Sequence, residues 1–229
     1  MFTHAPPPDL PDLKCITENG SRKYVTPTGE RYPSVTTVTG WSKRQFFAEW
    51  RRKHPEESKQ ILEKGNKFHT IIEDYLNNKG GPDEDTAFVM SHARARDLFY
   101  QLQPELDRID NIRVQEIALW SDMMGLAGRV DCIAEFDGKL SVIDFKSSKR
   151  KKREEDIENY FQQATAYAIM WKELLGETID NIVILVSSDD GKTQVIQRNP
   201  VNHVAGLKEC IDIYHTANNS EPYREVMGD

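Results

Sequence analysis

The stretch that most constrains this chain is a pair of β-like runs, "LAGRVDCIAEF" (126–136) and "KLSVIDFK" (139–146), separated by Asp137-Gly138. Asp-Gly between two such runs is a strong hairpin signal, because a primed two-residue turn needs positive φ at both positions. A turn of fixed length also sets the register. Residues whose numbers add to about 275 face each other across it, and Asp131 and Asp144 do. Lys146 lies two residues beyond Asp144 and shares its face of the strand. Two carboxylates and an ammonium group therefore converge at one end of the hairpin. Like charges this close call for a cation, and hard Mg2+ or Mn2+ prefers oxygen ligands. The plainer alternative is a cross-strand ion pair on a sheet surface, which an isolated Asp-x-Lys more often is.

Three neighbouring patterns bear on that choice. Upstream, Gly65, His69 and Glu73 read G-x-x-x-H-x-x-x-E, which on a helix places all three on one face. His69 and Glu73 can then reach a metal or order its waters, and Mn2+ accepts a mixed imidazole and carboxylate shell. Alone, the pattern reads better as an exposed His–Glu pair. Glu116, in "VQEIALW", precedes Gly128-Arg129-Val130-Asp131 and offers a third carboxylate, or a partner for an arginine. Downstream, Tyr160, Gln163 and Tyr167 follow the Asp-x-Lys strand, with Gln163 and Tyr167 four residues apart on a helix. Their polar ends suit orienting the lysine or binding a phosphate or base. In the plainer reading Tyr167 is core beside Ala164, Ala168 and Trp171.

The remaining elements frame these motifs. Residues 1–22 are Pro-rich and expected to be a flexible N-terminus, with one domain over 23–229. Residues 23–40 read as a hairpin or extended segment. Ser42 is placed as the N-cap of a helix to about Lys53, and Pro55 at the first position of a helix to Asn78, with Glu56 and Glu57 behind it and a kink near Gly65. A further helix spans 84–102, with Ala87, Phe88, Met90, Ala95, Leu98 and Phe99 as its apolar positions. After the strands at 113–121, 126–136 and 139–146 come a helix (157–175), strands at 181–188 and 193–199, and a helix (201–217). That order predicts one α/β domain: a mixed central sheet flanked by helices, with an N-terminal helical region.

Composition sets limits. The 229 residues suffice for a sizeable core, and 38% are hydrophobic and 29% charged. No apolar run approaches the roughly 20 residues that span a bilayer, and the first residues show no secretion signal, so no membrane partner and a cytoplasmic location are expected. Cys15, Cys132 and Cys210 are odd in number and far apart, which disfavours a disulfide framework. The net charge is −7, which taken alone weighs against a polyanionic partner. The positive residues nevertheless cluster at 43–53 and 146–153, so a local basic groove is compatible with the acidic total.

In order, H-x-x-x-E, E, G-x-x-D, D-x-K and Q-x-x-x-Y over residues 65–167 resemble the RecB-like branch of the PD-(D/E)xK nuclease superfamily. With "YPSVTTVTGW" (32–41) ahead of the His helix, the layout is similar to the mitochondrial genome maintenance exonuclease family and its phage relatives. The resemblance implies a restriction-endonuclease-like core, Mg2+- or Mn2+-dependent hydrolysis of DNA from free ends, and a setting in recombination and repair in a bacterial or phage-infected cell. It implies Asp131, Asp144 and His69 as metal ligands, Lys146 as the catalytic lysine, Gln163 and Tyr167 as its supporting pair, and Glu73 and Glu116 as further catalytic groups. Ile143 stands where the family name has proline. The four-cysteine cluster of some relatives is absent, so no iron–sulfur centre is expected. Lys43, Arg44, Arg51 and the run Lys149, Arg150, Lys151, Lys152 and Arg153 are expected on DNA phosphates. Trp41, Phe46, Phe47 and Trp50 suit stacking on unpaired bases, which points to single strands, though Phe46, Phe47 and Trp50 at helix spacing also suit a core. The rivals are a structure-specific or restriction-type endonuclease, an RNA-directed nuclease, and a non-catalytic DNA-binding recombination accessory protein. Replication or recombination proteins are the expected protein partners.

Overall fold

A computed structural model describes residues 1–18, 20–81 and 86–219, with the backbone alone over 86–93. The expected positions Ala87, Phe88 and Met90 and the acidic run at 83–85 lie outside the described side chains. A small antiparallel sheet comes first: β1 (Lys14–Glu18), β2 (Ser21–Val25) and β3 (Arg31–Pro33). Helices follow: α1 (Val35–Thr39), α2 (Arg44–Lys53), α3 (Pro55–Leu76) and α4 (Thr86–Leu106). The meander β4 (Ile109–Ser121), β5 (Leu126–Phe136) and β6 (Lys139–Ser148) leads to α5 (Glu158–Leu175). Then come β7 (Ile182–Ser188), β8 (Lys192–Arg198) and α6 (Val204–Ala217).

The main sheet runs β4-β5-β6-β7-β8. Only β6 and β7 pair in parallel, joined by the α5 crossover, so the sheet is mixed as the element order predicts. Phe68, Ile72 and Leu76 of α3 and Leu98, Phe99 and Leu102 of α4 cover one face, against Ile143, Phe145, Val183 and Leu185. Phe161, Ala164 and Trp171 of α5 and Leu207 and Ile211 of α6 cover the other, against Val142, Ile184 and Val186. β7 is buried along its whole length, which explains its unbroken apolar run "IVILVSS". Among the described residues no helix is long and apolar enough to cross a membrane.

Several local expectations need correction. Extended chain ends at Pro33: Ser34 accepts the Thr37 N–H and starts α1, whose β-branched residues are poor helix formers held by burial of Val35 and Val38. Ser42 does not cap a helix; it lies within a 3-10 turn over Trp41–Lys43, and α2 begins at Arg44 with no side-chain cap. Pro55 does open α3, with Glu56 and Glu57 in its first turn. The N-terminal stretch expected to be loose carries β1 and the start of β2. It is also pinned to β4 by Ile112 N–H to Thr3 O and Ala5 N–H to Ile112 O. Prolines do not prevent this, because an edge segment needs only alternate hydrogen bonds.

Candidate active site

The two-residue turn forms as the sequence dictates, with φ of 51° at Asp137 and 75° at Gly138. Pairing of β5 with β6 runs from Phe136–Lys139 to Cys132–Ile143 and stops there. Asp131 and Asp144 occupy the next rung. Instead of a backbone carbonyl, the Asp131 carboxylate accepts the Phe145 N–H at 2.9 Å. The strands part where the acids sit, and the site opens between them.

β4 and β5 both lose regular alternation at this point. Val114 precedes Glu116, and Ile117 and Leu119 follow it, yet all three pack in the α5-side core. Val130 and Ile133, on either side of Asp131, do the same. Glu116 makes the reset in β4 by adopting φ of 49°, a left-handed conformation disfavoured for a residue with a Cβ. Such local strain clusters at functional sites. The result aims Glu116 and Asp131 toward α3, where His69 waits. His69 Nδ1 is 3.6 Å from Asp131 and 3.9 Å from Glu116. Ligand atoms of His69, Glu116 and Asp131 all lie within 4.8 Å of one another, so they form a group able to hold a metal ion.

Beside this group, Asp144 is 2% exposed. Its Oδ1 accepts from Lys146 Nζ at 2.6 Å, and its Oδ2 is buried with no protein partner. Burial pushes the Asp144 carboxyl up, against the pull of Lys146. Burial works against the charged form of Lys146, but Asp144 and Asp131 outweigh it and hold its pKa above the usual value, so it is an ammonium group. Burial likewise opposes an imidazolium at His69, and Asp131 and Glu116 outweigh it, leaving the pKa raised. The Glu73 carboxyl is raised by burial and by the nearby charge of Glu116. Burial is the first cause at the Asp144 and Glu73 carboxyls, whereas neighbouring carboxylates raise Lys146 and His69; both make negative charge costly here, so the pocket favours an added cation. An orphaned buried carboxylate oxygen next to two more carboxylates and an imidazole is a donor set that fits Mg2+ or Mn2+.

Tyr167 donates its hydroxyl to Arg129 O at 2.8 Å, within hydrogen-bonding reach of Gln163. Lys146 Nζ lies 5.1 Å from the ring centroid of Tyr160, along the helical face from Gln163 and Tyr167. The sequence signal for this contact is the place of Tyr160, seven residues before Tyr167 on the same helix face.

The basic residues divide. Lys149 pairs with Glu57 of α3, and Arg153 with Asp156 at 2.9 Å. Among the described residues Arg150, Lys151 and Lys152 make no side-chain ion pair. Arg44 stacks over Trp41, 3.9 Å from its ring centroid, and Trp41 packs edge-on against Tyr214. α2 has no buried residue: Phe46 is 67% and Phe47 45% exposed, so the core alternative for them fails. Lys43 and Arg51 lie exposed on the same stretch. On the far side of the site the N-terminal segment leaves a cavity of about 220 Å3, lined by Pro8, Leu10, Pro11, Glu116, Ile117 and Arg129.

A mixed sheet that splits to present an Asp and an Asp-x-Lys toward a helix-borne histidine defines a class. The sequence profile of the PD-(D/E)XK nuclease superfamily matches residues 41–209, and the chain belongs to that superfamily. Among curated relatives, mitochondrial genome maintenance exonuclease 1 of Mus musculus is 28% identical over 133 residues, covering 52% of this chain and 38% of its own length. The Homo sapiens protein of that name is 26% identical over 118 residues, covering 52% and 33%. The match thus spans less than two-fifths of those relatives. The crystal structure of a Eubacterium rectale protein superposes with a TM-score of 0.47 at 13% identity, covering 74% of this chain and 72% of the other.

Proposed function

We propose that this chain is a Mg2+- or Mn2+-dependent deoxyribonuclease that degrades DNA from free ends, preferring single strands, with residues 23–229 as its nuclease domain. The observation that carries the reading is the group His69, Glu116 and Asp131 set against the buried Asp144–Lys146 pair. His69, Asp131, Asp144 and Glu116 would hold the metal, Glu116 as the third carboxylate of the group. When bound, the ion supplies Lewis acidity toward a phosphodiester oxygen and acidifies a water.

The protein's own groups do the rest. Lys146, held by Asp144, is placed to donate to phosphate oxygens and to stabilise charge as it develops. Asp144 holds Nζ in place, and the Tyr160 ring limits where the ammonium can swing. Glu73, at the rim, suits ordering of water. End-directed attack is supported by the name of the curated relatives. Preference for single strands is supported by the exposed Phe46 and Phe47 among cations of α2, since unpaired bases can stack on aromatic rings.

The test is digestion of end-labelled single- and double-stranded DNA with Mg2+ or Mn2+, beside a circular single strand. Loss of the linear single strand, sparing of the circle, and arrest by EDTA are expected. Cleavage of the circle would make it an endonuclease. Binding without cleavage under any divalent ion would make it a DNA-binding accessory protein.

A further inference from the structure

Glu116 belongs to the candidate metal group, yet its backbone is in a conformation that a glutamate disfavours. Something must hold it there. Its carbonyl oxygen accepts a hydrogen bond from the Arg129 guanidinium. Arg129 stands on β5 opposite Ala118, two residues before Asp131. Its own carbonyl is fixed by the Tyr167 hydroxyl at 2.8 Å. Gly128 makes that bond possible: a Cβ there would lie 2.7 Å from the Tyr167 oxygen. A second partner, Asp12 of the N-terminal segment, sits 3.5 Å from the other guanidinium nitrogen. A continuous path thus runs from α5 through the Arg129 backbone, then its side chain, to the reversed peptide of Glu116.

We propose that Arg129 is a positioning residue for the metal site, holding Glu116 in its left-handed conformation so that the carboxylate joins His69 and Asp131. This rests on Glu116 being a ligand. It also gives Tyr167 a place in the same device, two bonds removed from the ion. The main competing role for a half-exposed arginine beside a nuclease site is a grip on a DNA phosphate.

Mn2+ binding to the full chain without DNA, measured by titration calorimetry, separates the two. Partners that orient a ligand typically change metal affinity by about 10–100-fold. Arg129→Met is expected to weaken Mn2+ binding by about tenfold or more, Arg129→Lys to recover part of it, and Arg129→Met to have no further effect in a Glu116→Gln background. Unchanged Mn2+ affinity with a raised KM for DNA would overturn the proposal in favour of a phosphate contact. An equal loss in the Glu116→Gln background would overturn it as general damage. If Glu116→Gln alone leaves Mn2+ affinity untouched, the ligand assignment fails first and takes this inference with it. Should Arg129→Met not fold, Tyr167→Phe reads the same path by deleting one hydroxyl. A smaller loss that disappears in Glu116→Gln supports the proposal, and an unchanged affinity overturns it.

Discussion

The lower half of α3 and the sheet beneath it differ sharply from α2 and the upper half of α3. Phe68, Ile71, Ile72 and Leu76 are buried, and His69 rides among them. Ahead of them, Ile61 and Leu62 are exposed, and α2 buries nothing. One region spends its apolar residues on a core that fixes charged groups a few ångströms apart. The other leaves aromatic and basic residues in water, where they do little for folding. The difference teaches that the two regions use their apolar residues differently: the sheet end buries them around a fixed charged group, and the helical arm leaves them exposed.

The sharpest way to break that division is at the chemistry. Asp144→Asn or Lys146→Ala should lower cleavage by about 10²–10³-fold or more, while DNA affinity, measured by fluorescence anisotropy, stays within a few-fold. Near wild-type rates in either purified variant would remove the site from this end of the sheet. Next, Phe68→Ala should cost about 3–5 kcal/mol in denaturant unfolding. Phe46→Ala should stay within about 0.5 kcal/mol of the parent but lose about 1–3 kcal/mol of single-strand binding. Equal stability losses at Phe46 and Phe68 would erase the contrast.

A pH series tests the excess charge of the pocket. The raised Asp144 pKa means the folded state binds that proton more tightly, so stability grows as pH falls through the folded value toward the ordinary carboxylate range. The raised His69 pKa contributes stability that is complete below the ordinary histidine value and is lost as pH rises through the folded one. In EDTA the melting temperature should therefore climb from pH 8 to pH 6 through His69, and Asp144→Asn should lose stability relative to the parent as pH falls below about 6; a flat profile from pH 8 to pH 6 would contradict the charge argument. The smallest effect is at the basic loop. Lys151→Ala should reduce the log–log salt slope of DNA binding by about one, and Lys149→Ala by less, because Glu57 already pairs with Lys149.

Much of this was legible in advance because it depended on counting. A two-residue turn and a period of two put Asp131 across from Asp144 without reference to anything distant. The α5 boundary at Gly176 followed from a residue that tolerates φ of 74°. What escaped notice depended on contacts that no local pattern encodes. Glutamate has no preference for left-handed backbone, so the reset that turns Glu116 toward His69 and Asp131 could not be read from alternation, although Glu116 is a candidate third carboxylate on sequence alone. The β-branched α1 looked extended because its helicity comes from burial. Tyr167 is core, as its neighbours Ala164, Ala168 and Trp171 suggest, but its hydroxyl partner, the Arg129 carbonyl, offers no side-chain signal at all.

The Asp137-Gly138 turn also bears on how such a chain can vary. Adding or removing one residue there would slide β6 by one position against β5 and send Asp144 and Lys146 to the opposite face of the sheet, away from Asp131. The loop at 149–153 does not set the β5–β6 register, so a length change there leaves Asp144 and Lys146 on their face, although it disturbs the bonds of Lys152 to Gln194. Variation in length should therefore be tolerated on one end of β6 and lethal to activity on the other, although both ends are solvent-facing turns.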